Sequence, residues 1–283
     1  MECKKTVQIG GIVVLYEPHI KDFEYLKSYV NKEGFLLILD NSKTSNDKVV
    51  SVHLQNTSGQ FEYVYFGENI GLSAALNRGI KLLKDKGYEW VITMDSDSSW
   101  QSDICEIYKA EISKDASVAI YAPLHLHDRS KATEYIGTKE IDWAMTSGCC
   151  FNIKQLEAMG GFNEQLFVDG LDMDYCFRVK EKGLKIIQCG NALIKHNPAE
   201  THCFKVFGLS VLKYGKASPW RYYMQMRSLT WMFLRYHKLE VVKIWFWKWF
   251  KVTFFFEGKS NYFKEMYKGV KDGITIWKEY SIR

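Results

Sequence analysis

Four short apolar runs in the first hundred residues, each closed by a cluster of polar turn residues, constrain this chain more than anything else. They are Val7–Leu15, Phe35–Leu39, Phe61–Phe66 and Trp90–Met94. Their length and β-branched content predict buried strands. Asp22–Val30, with Phe23, Leu26 and Val30 on one face, and Gly71–Lys84, with Leu72, Ala75, Leu76, Ile80 and Leu83, have helical spacing instead. Strands alternating with helices predict an α/β fold with a mostly parallel sheet and right-handed crossovers. In such sheets ligands bind outside the carboxyl ends of the strands. Glu17, Asp40, Asn69, Asp95 and Asp97 all stand at predicted strand ends, so they are expected to converge on one crevice.

Asp95-Ser96-Asp97 follows its strand directly. Two carboxylates on one turn suit a hard divalent cation that bridges to a diphosphate, although a solvated turn uses the same residues. Phe167–Arg178 carries Asp169, Asp172 and Asp174 ahead of Arg178. If Leu171–Lys182 is helical, Asp174 and Arg178 stand four apart and can pair, and Asp172 can serve the helix dipole or act as a general base. His196 follows an apparent strand at Leu184–Gln188 without the neighbours of a zinc motif. Asn69-x-Gly71 and Asn77-x-Gly79 suit a helix cap or a ligand contact equally. Neither a P-loop nor a dinucleotide-binding glycine fingerprint is present.

Seven segments in order resemble the family 2 glycosyltransferases of the GT-A fold, and most closely their rhamnosyltransferase-like branch. They are VVLYEP (13–18), LDNS (39–42), ENIGLSAALNRGI (68–80), ITMDSDS (92–98), WAMTSGCCF (143–151), GGFNEQLFVDGLDMDYCFR (160–178) and WRYYMQMRS (220–228). The resemblance implies a nucleotide-sugar transferase that inverts the anomeric centre. It implies that Tyr16, Glu17, Pro18 and Asp40 hold the nucleotide, with Asp40 at the base, joined by Asn69, Gly71, Asn77, Asp95 and Ser96. Asp95, Asp97 and His196 become ligands of Mg2+ or Mn2+. Asp172 becomes the catalytic base, even though Leu171 stands where many relatives have Glu. Trp143, Ser147, Gly148 and Asp169 fall where the acceptor is expected.

Charge divides the chain. Residues 1–200 hold 22 Lys and Arg against 28 Asp and Glu, whereas residues 201–283 hold 16 against 5 and carry 22 of the 43 aromatics. A basic aromatic tail implies an anionic partner. Ser218 and Pro219 read as the N-cap and first residue of a helix. In Val241–Phe256, Lys243, Lys248 and Lys251 fall within an arc of about 140° on a helical wheel. That pattern predicts a helix lying on a membrane with its lysines at anionic headgroups, although a core helix or a homodimer interface would use the same residues. Nucleic-acid binding has no supporting motif.

The expected organisation is a GT-A catalytic domain over 1–203 and a helical, membrane-associated region over 204–283. A dTDP- or UDP-linked donor and a lipid-linked glycan acceptor of bacterial surface polysaccharide are expected. A non-catalytic sugar-nucleotide-binding protein is the alternative outside the enzyme class. The seven scattered cysteines lack a C-x-x-C pair and suit a reducing compartment. With no leader-like h-region at the N-terminus and no spanning run of about 18 apolar residues, the expected location is the cytoplasm, peripheral to the inner face of the cell membrane.

Overall fold

The computed structural model describes residues 7–129, 133–196, 200–206 and 209–282; the leader question falls on the first residues, six of which lie outside these. The chain divides into two compact units, one of residues 1–164 and 175–197, the other of 165–174 and 198–283.

The first unit is a mixed sheet flanked by helices. Its strands are β1 (Ile9–Leu15), β2 (Phe35–Asp40), β3 (Gln60–Tyr65), β4 (Trp90–Asp95), β5 (Ser99–Trp100), β6 (Ile120–Leu126), β7 (Thr138–Glu140), β8 (Cys150–Asn152) and β9 (Ile186–Lys195). Helices α1 (Asp22–Glu33), α2 (Asp47–Leu54), α3 (Leu72–Asp85), α4 (Ile104–Ile112) and α5 (Ile153–Ala158) connect them. The sheet runs β3-β2-β1-β4-β8-β6-β9-β5, with β7 on β9. Its first four strands are mutually parallel. β8 runs antiparallel between β4 and β6, and β6 pairs in parallel with β9.

Why these residues form these layers is visible in the side chains. Ile12, Val13, Leu36, Leu37, Ile38 and Leu39 are wholly buried, as continuous apolar strands covered on both faces must be. Each such side chain contributes roughly 1.5–3 kcal/mol by leaving water. Gly79, inside α3, marks where that helix presses on the sheet: a Cβ there would lie 2.6 Å from Leu39 Cδ1 and 2.9 Å from Ile12 Cδ1. A mid-helix glycine costs about 1 kcal/mol, offset here by the close approach.

Two expectations for this unit need correction. α2 is an additional helix between the second and third strands; it spans eight residues and buries only Val50 and Leu54. The strand read at Leu184–Gln188 is β9, which continues to Lys195 because β6 offers partners as far as Leu126. His196 therefore follows the strand immediately.

The second unit begins with the hairpin β10 (Glu200–Val206) and β11 (Leu209–Lys216), so this region is not wholly helical. Helices α7 (Pro219–Tyr236), α8 (Leu239–Phe255) and α9 (Lys259–Ile282) follow. Ser218 does cap α7, its hydroxyl accepting from the Arg221 amide at 3.2 Å with Pro219 at the first position. On α9, Gly269 and Gly273 let that backbone approach α7: a Cβ on Gly273 would lie 2.5 Å from the Arg227 carbonyl. Tyr214, Tyr222, Met226, Val252, Phe256, Tyr262 and Met266 form the core between hairpin and helices. One further helix, α6 (Leu171–Glu181), starts in this unit and ends in the first.

The lysines of α8 do not share an outward face. Lys251 is buried, donates to the Gly215 carbonyl at 3.0 Å, and lies 5.6 Å from the centre of the Tyr222 ring. Lys248 lies 5.4 Å from that ring as well. A carbonyl and an aromatic face draw both ammonium groups inward; only Lys243 of the three is exposed.

Candidate active site

The carboxyl ends of β1, β2 and β4 carry the first group of residues. At the end of β2, Asp40 is wholly buried. Its Oδ1 accepts from the Ser42 amide at 3.0 Å; its Oδ2 accepts from the Asn46 amide at 2.9 Å, from Asn46 Nδ2 at 3.0 Å and from the Tyr63 hydroxyl. Burial favours the neutral acid, but these donors outweigh it and hold Asp40 below the usual aspartate range. The same bond pushes the Tyr63 phenol, already raised by burial, up to about 12. Asp40 thus organises the loop between β2 and α2. Glu17 ties that loop to β1: its amide donates to Ser42 Oγ at 2.9 Å and its carboxylate accepts from the Lys43 amide at 3.0 Å. Glu17 pays for the sharp turn with a positive φ of 45°. Tyr16 beside it is exposed and Pro18 half-buried.

Asn41, which the sequence did not single out, joins the next loop. Its Oδ1 accepts from the Ile70 amide at 3.0 Å and its Nδ2 donates to Asn69 Oδ1 at 3.1 Å. Asn69 Oδ1 also accepts from the Gly71 amide, at 3.0 Å. Gly71, at φ 88°, turns the chain into α3. Asn77, further along α3, holds the loop after α5: it accepts from the Phe162 amide at 2.8 Å and donates to the Phe162 carbonyl and to Glu164, both at 2.9 Å.

At the end of β4 the carboxylates of Asp95 and Asp97 meet His196. Nε2 of His196 lies 3.6 Å from Asp95 Oδ2, and Nδ1 lies 3.4 Å from Asp97 Oδ1. One ligand atom from each residue fits within a span of 4.8 Å. Ser98 fixes the imidazole, its Oγ 2.9 Å from His196 Nδ1 and 2.9 Å from Ser147 Oγ. Ser147 Oγ accepts from the Asp95 amide at 3.3 Å, so this buried serine, expected at the acceptor, supports the carboxylate turn. Ser96 is half-buried between the two carboxylates. Tyr29 donates its hydroxyl to the Ser98 carbonyl from below.

Electrostatics couples the three side chains. Burial disfavours the charged imidazole of His196, but Asp97 and then Asp95 outweigh it and raise its affinity for a proton. Burial likewise pushes Asp97 up, and His196 brings it below the usual range. Two carboxylates and one imidazole are a donor set for a hard divalent cation such as Mg2+ or Mn2+, and the residues fit one. Two histidines absent from the expectation stand nearby. Burial lowers the His125 pKa to about 4, so its neutral ring donates from Nε2 to the Ser147 carbonyl at 2.8 Å. His127 follows β6; burial, and then the charge of Arg129 beyond it, opposes its protonation.

Trp143 is exposed. Gly148 has φ 77° and packs against Ile194 and Pro123, its amide donating to the Thr93 carbonyl at 2.6 Å and its carbonyl accepting from Tyr108 at 2.8 Å. These bonds give Gly148 a structural part where the chain enters β8, beside β4 in the middle of the sheet.

Asp169 and Asp172 belong to the second unit. Asp169 accepts from Arg221 at 2.9 Å, a contact the sequence does not announce across 52 residues. Arg227 donates to the Gln165 carbonyl, and Gly170, at φ 86°, leaves no room for a Cβ beside Ser228 and Met232 of α7. Asp174 is buried and accepts from Tyr236. Asp172, in the first turn of α6, stays half-buried, with Oδ1 accepting from the Met173 amide at 2.9 Å. In the first turn of a helix that follows a segment clamped by α7, a partly open carboxylate is suited to proton transfer.

Comparison with known proteins agrees with this fold. Residues 28–155 match the family described as Glycosyl transferase family 2. A dTDP-rhamnosyl transferase, RfbF, from Shigella flexneri is 21% identical over 240 residues, which cover 78% of each chain. Among solved structures, a crystal structure of GalNAc-T7 with UDP, GalNAc and Mn2+ superposes with a TM-score of 0.54 at 12% identity. That match covers 80% of this chain and 48% of the other, so the chain spans about half the length of that neighbour. The fold expected from the sequence, α/β of GT-A type with a C-terminal helical region, is the fold found.

Proposed function

This protein is a glycosyltransferase of family 2, and from that premise we propose that it transfers L-rhamnose from dTDP-rhamnose, with inversion, to a lipid-linked glycan acceptor of bacterial surface polysaccharide. The observation that carries the proposal is the meeting of Asp95, Asp97 and His196 at the carboxyl ends of β4 and β9, the side of an α/β sheet where ligands bind. The similarity to a protein named as a dTDP-rhamnosyl transferase favours that donor. A UDP-sugar, a hexose or galactofuranose, is the second reading, favoured by the UDP in the structural neighbour.

In this mechanism the loops built on Glu17, Asp40 and Asn69 cradle the nucleotide, and Asp95, Asp97 and His196 hold the cation. When bound, the cation supplies neutralising charge at the diphosphate, whose negative charge grows as it leaves. Asp172 takes the proton of the acceptor hydroxyl as its oxygen bonds to the anomeric carbon. The bond from that carbon to the diphosphate breaks on the opposite face, and its electron pair leaves with the β-phosphate. Asp169, held by Arg221, is assigned to the acceptor, as is Trp143. Holding both substrates in line removes the entropic cost of their meeting.

The catalytic domain of this proposal covers 1–203, and region 204–283 docks on the cytoplasmic face of the membrane, where a lipid-linked acceptor would reside. Excess basic charge supports that location. Among the described residues no helix is long and apolar enough to cross a membrane.

Thermal-shift titration with dTDP-rhamnose, UDP-sugars and GDP-mannose, with and without Mg2+ or Mn2+, tests the donor. A metal-dependent rise with dTDP-rhamnose alone is expected. A rise with UDP-sugars alone transfers the assignment to the second reading, and no rise with any nucleotide overturns the proposal.

A further inference from the structure

Helix α8 wears its polarity inside out. Its outward side chains include Leu239, Phe246, Trp247, Phe250 and Phe254, exposed to 65%, 62%, 41%, 45% and 61%. At 100° per residue these five and Lys243 fall within an arc of about 100°. The rings make one continuous surface: Trp247 stacks on Phe250 with centroids 5.5 Å apart, and Phe250 meets Phe254 at 4.7 Å. On the inward side Lys251 reaches the Gly215 carbonyl, and Lys248 and Lys251 both stand over Tyr222. In water this arrangement is unfavourable twice over. Large apolar side chains face solvent, while the Lys251 ammonium is buried and that of half-buried Lys248 turns toward a ring.

The arrangement is favourable if the outer medium is itself apolar. We propose that the aromatic ridge of α8, Phe246, Trp247, Phe250 and Phe254 with Leu239, is the surface by which this protein inserts into the interfacial layer of an anionic lipid bilayer. The inference rests on the membrane location argued above and names the contact. Aromatic rings favour the headgroup boundary, where an in-plane helix buries one face. The helix is 17 residues long, and its inward lysines are held by the protein, so it lies in the interface. Charge selects lipid over a second copy of the chain as the occupant. Region 201–283 carries 16 basic residues against 5 acidic, so pairing through the ridge brings together two regions of net positive charge, whereas an anionic surface complements one.

The assignment differs from that of a basic helix in which lysines make the contact. Lys251 is an internal prop of the unit and Lys248 leans on the same ring, so the rings do the binding.

Flotation with large unilamellar vesicles tests it, using the full chain and vesicles of phosphatidylglycerol and phosphatidylcholine or of phosphatidylcholine alone. The wild type is expected to float with the anionic vesicles. Phe246→Ser/Phe250→Ser/Phe254→Ser is expected to lose at least tenfold in partitioning while keeping its melting temperature and its response to dTDP or UDP. Lys251→Gln is expected to lower the melting temperature and leave partitioning within twofold. Quenching of Trp247 fluorescence by brominated lipid, judged against Trp247→Phe, reports insertion directly. Equal flotation of the triple variant, or no flotation of the wild type, overturns the assignment. So does light scattering that shows a dimer which the triple variant dissolves, since that result gives the ridge to a second copy. Because nucleotide response is read separately, a failure of the donor proposal stays distinct from a failure of this one.

Discussion

Tyr236 donates its hydroxyl to Oδ1 of Asp174 at 2.6 Å, tying the last turn of α7 to the first turn of α6. Asp174 is buried, so the bond also serves a carboxylate out of water. Losing a hydrogen bond to a buried charged group costs about 1–3 kcal/mol. Tyr236→Phe is therefore expected to lower the melting temperature. Because Asp172 sits two residues before Asp174, the variant is also expected to lower kcat more than it raises the donor KM, which steady-state kinetics with varied donor would check. An unchanged melting temperature would show that the bond contributes nothing.

If Asp172 accepts the acceptor's proton, Asp172→Asn keeps the size of the side chain and removes its basicity. Loss of such a base costs about 10²–10⁴ in rate. Transfer is expected to fall by that amount while nucleotide affinity, measured by calorimetry, stays within twofold. Substantial residual turnover would remove Asp172 from the role.

Asp97→Asn removes one charge from the group that includes Asp95 and His196. A ligand at a hundred times its Kd stabilises the native state by about 2.7 kcal/mol. The wild type is expected to gain on that order from dTDP or UDP with Mn2+, and the variant to lose the metal-dependent part. His196→Ala should do the same. A variant that keeps its metal-dependent shift would show that Asp97 is not a ligand.

Much of this arrangement is legible in the sequence because it repeats a simple physical pattern. β1, β2 and β4 are apolar on both faces and stop at polar residues, so strand ends and the carboxylates on them can be read together. α2 escapes because eight residues with two buried side chains give too little periodicity. The β10–β11 hairpin escapes because its strands lack clear alternation of apolar and polar residues. The link of Ser98 to His196 spans 98 positions and exists only once β4 and β9 are placed. In α8 nearly every face is apolar, and a helical wheel cannot say which side meets the protein. The three lysines read as an outward stripe, and the contacts of Lys251 with Gly215 and Tyr222 reverse it.

Asp40 supplies a test in pH. Burial favours its neutral form, but bonds from Tyr63, Ser42 and Asn46 hold its carboxyl below the ordinary aspartate value. A carboxylate depressed on folding adds stability above its unfolded pKa, and that contribution is lost as pH falls through the folded value. Wild-type melting temperature is therefore expected to fall between about pH 5 and 2 partly through Asp40. Asp40→Asn keeps the shape of the side chain but replaces one acceptor oxygen with an NH2 group, which cannot accept from Tyr63 and Asn46. The variant is expected to be less stable at pH 7, by about 1–3 kcal/mol, and to show a flatter melting profile that converges on the wild type near pH 2. Parallel curves across that range would mean that the hydrogen bonds to Asp40 do not favour its charged form.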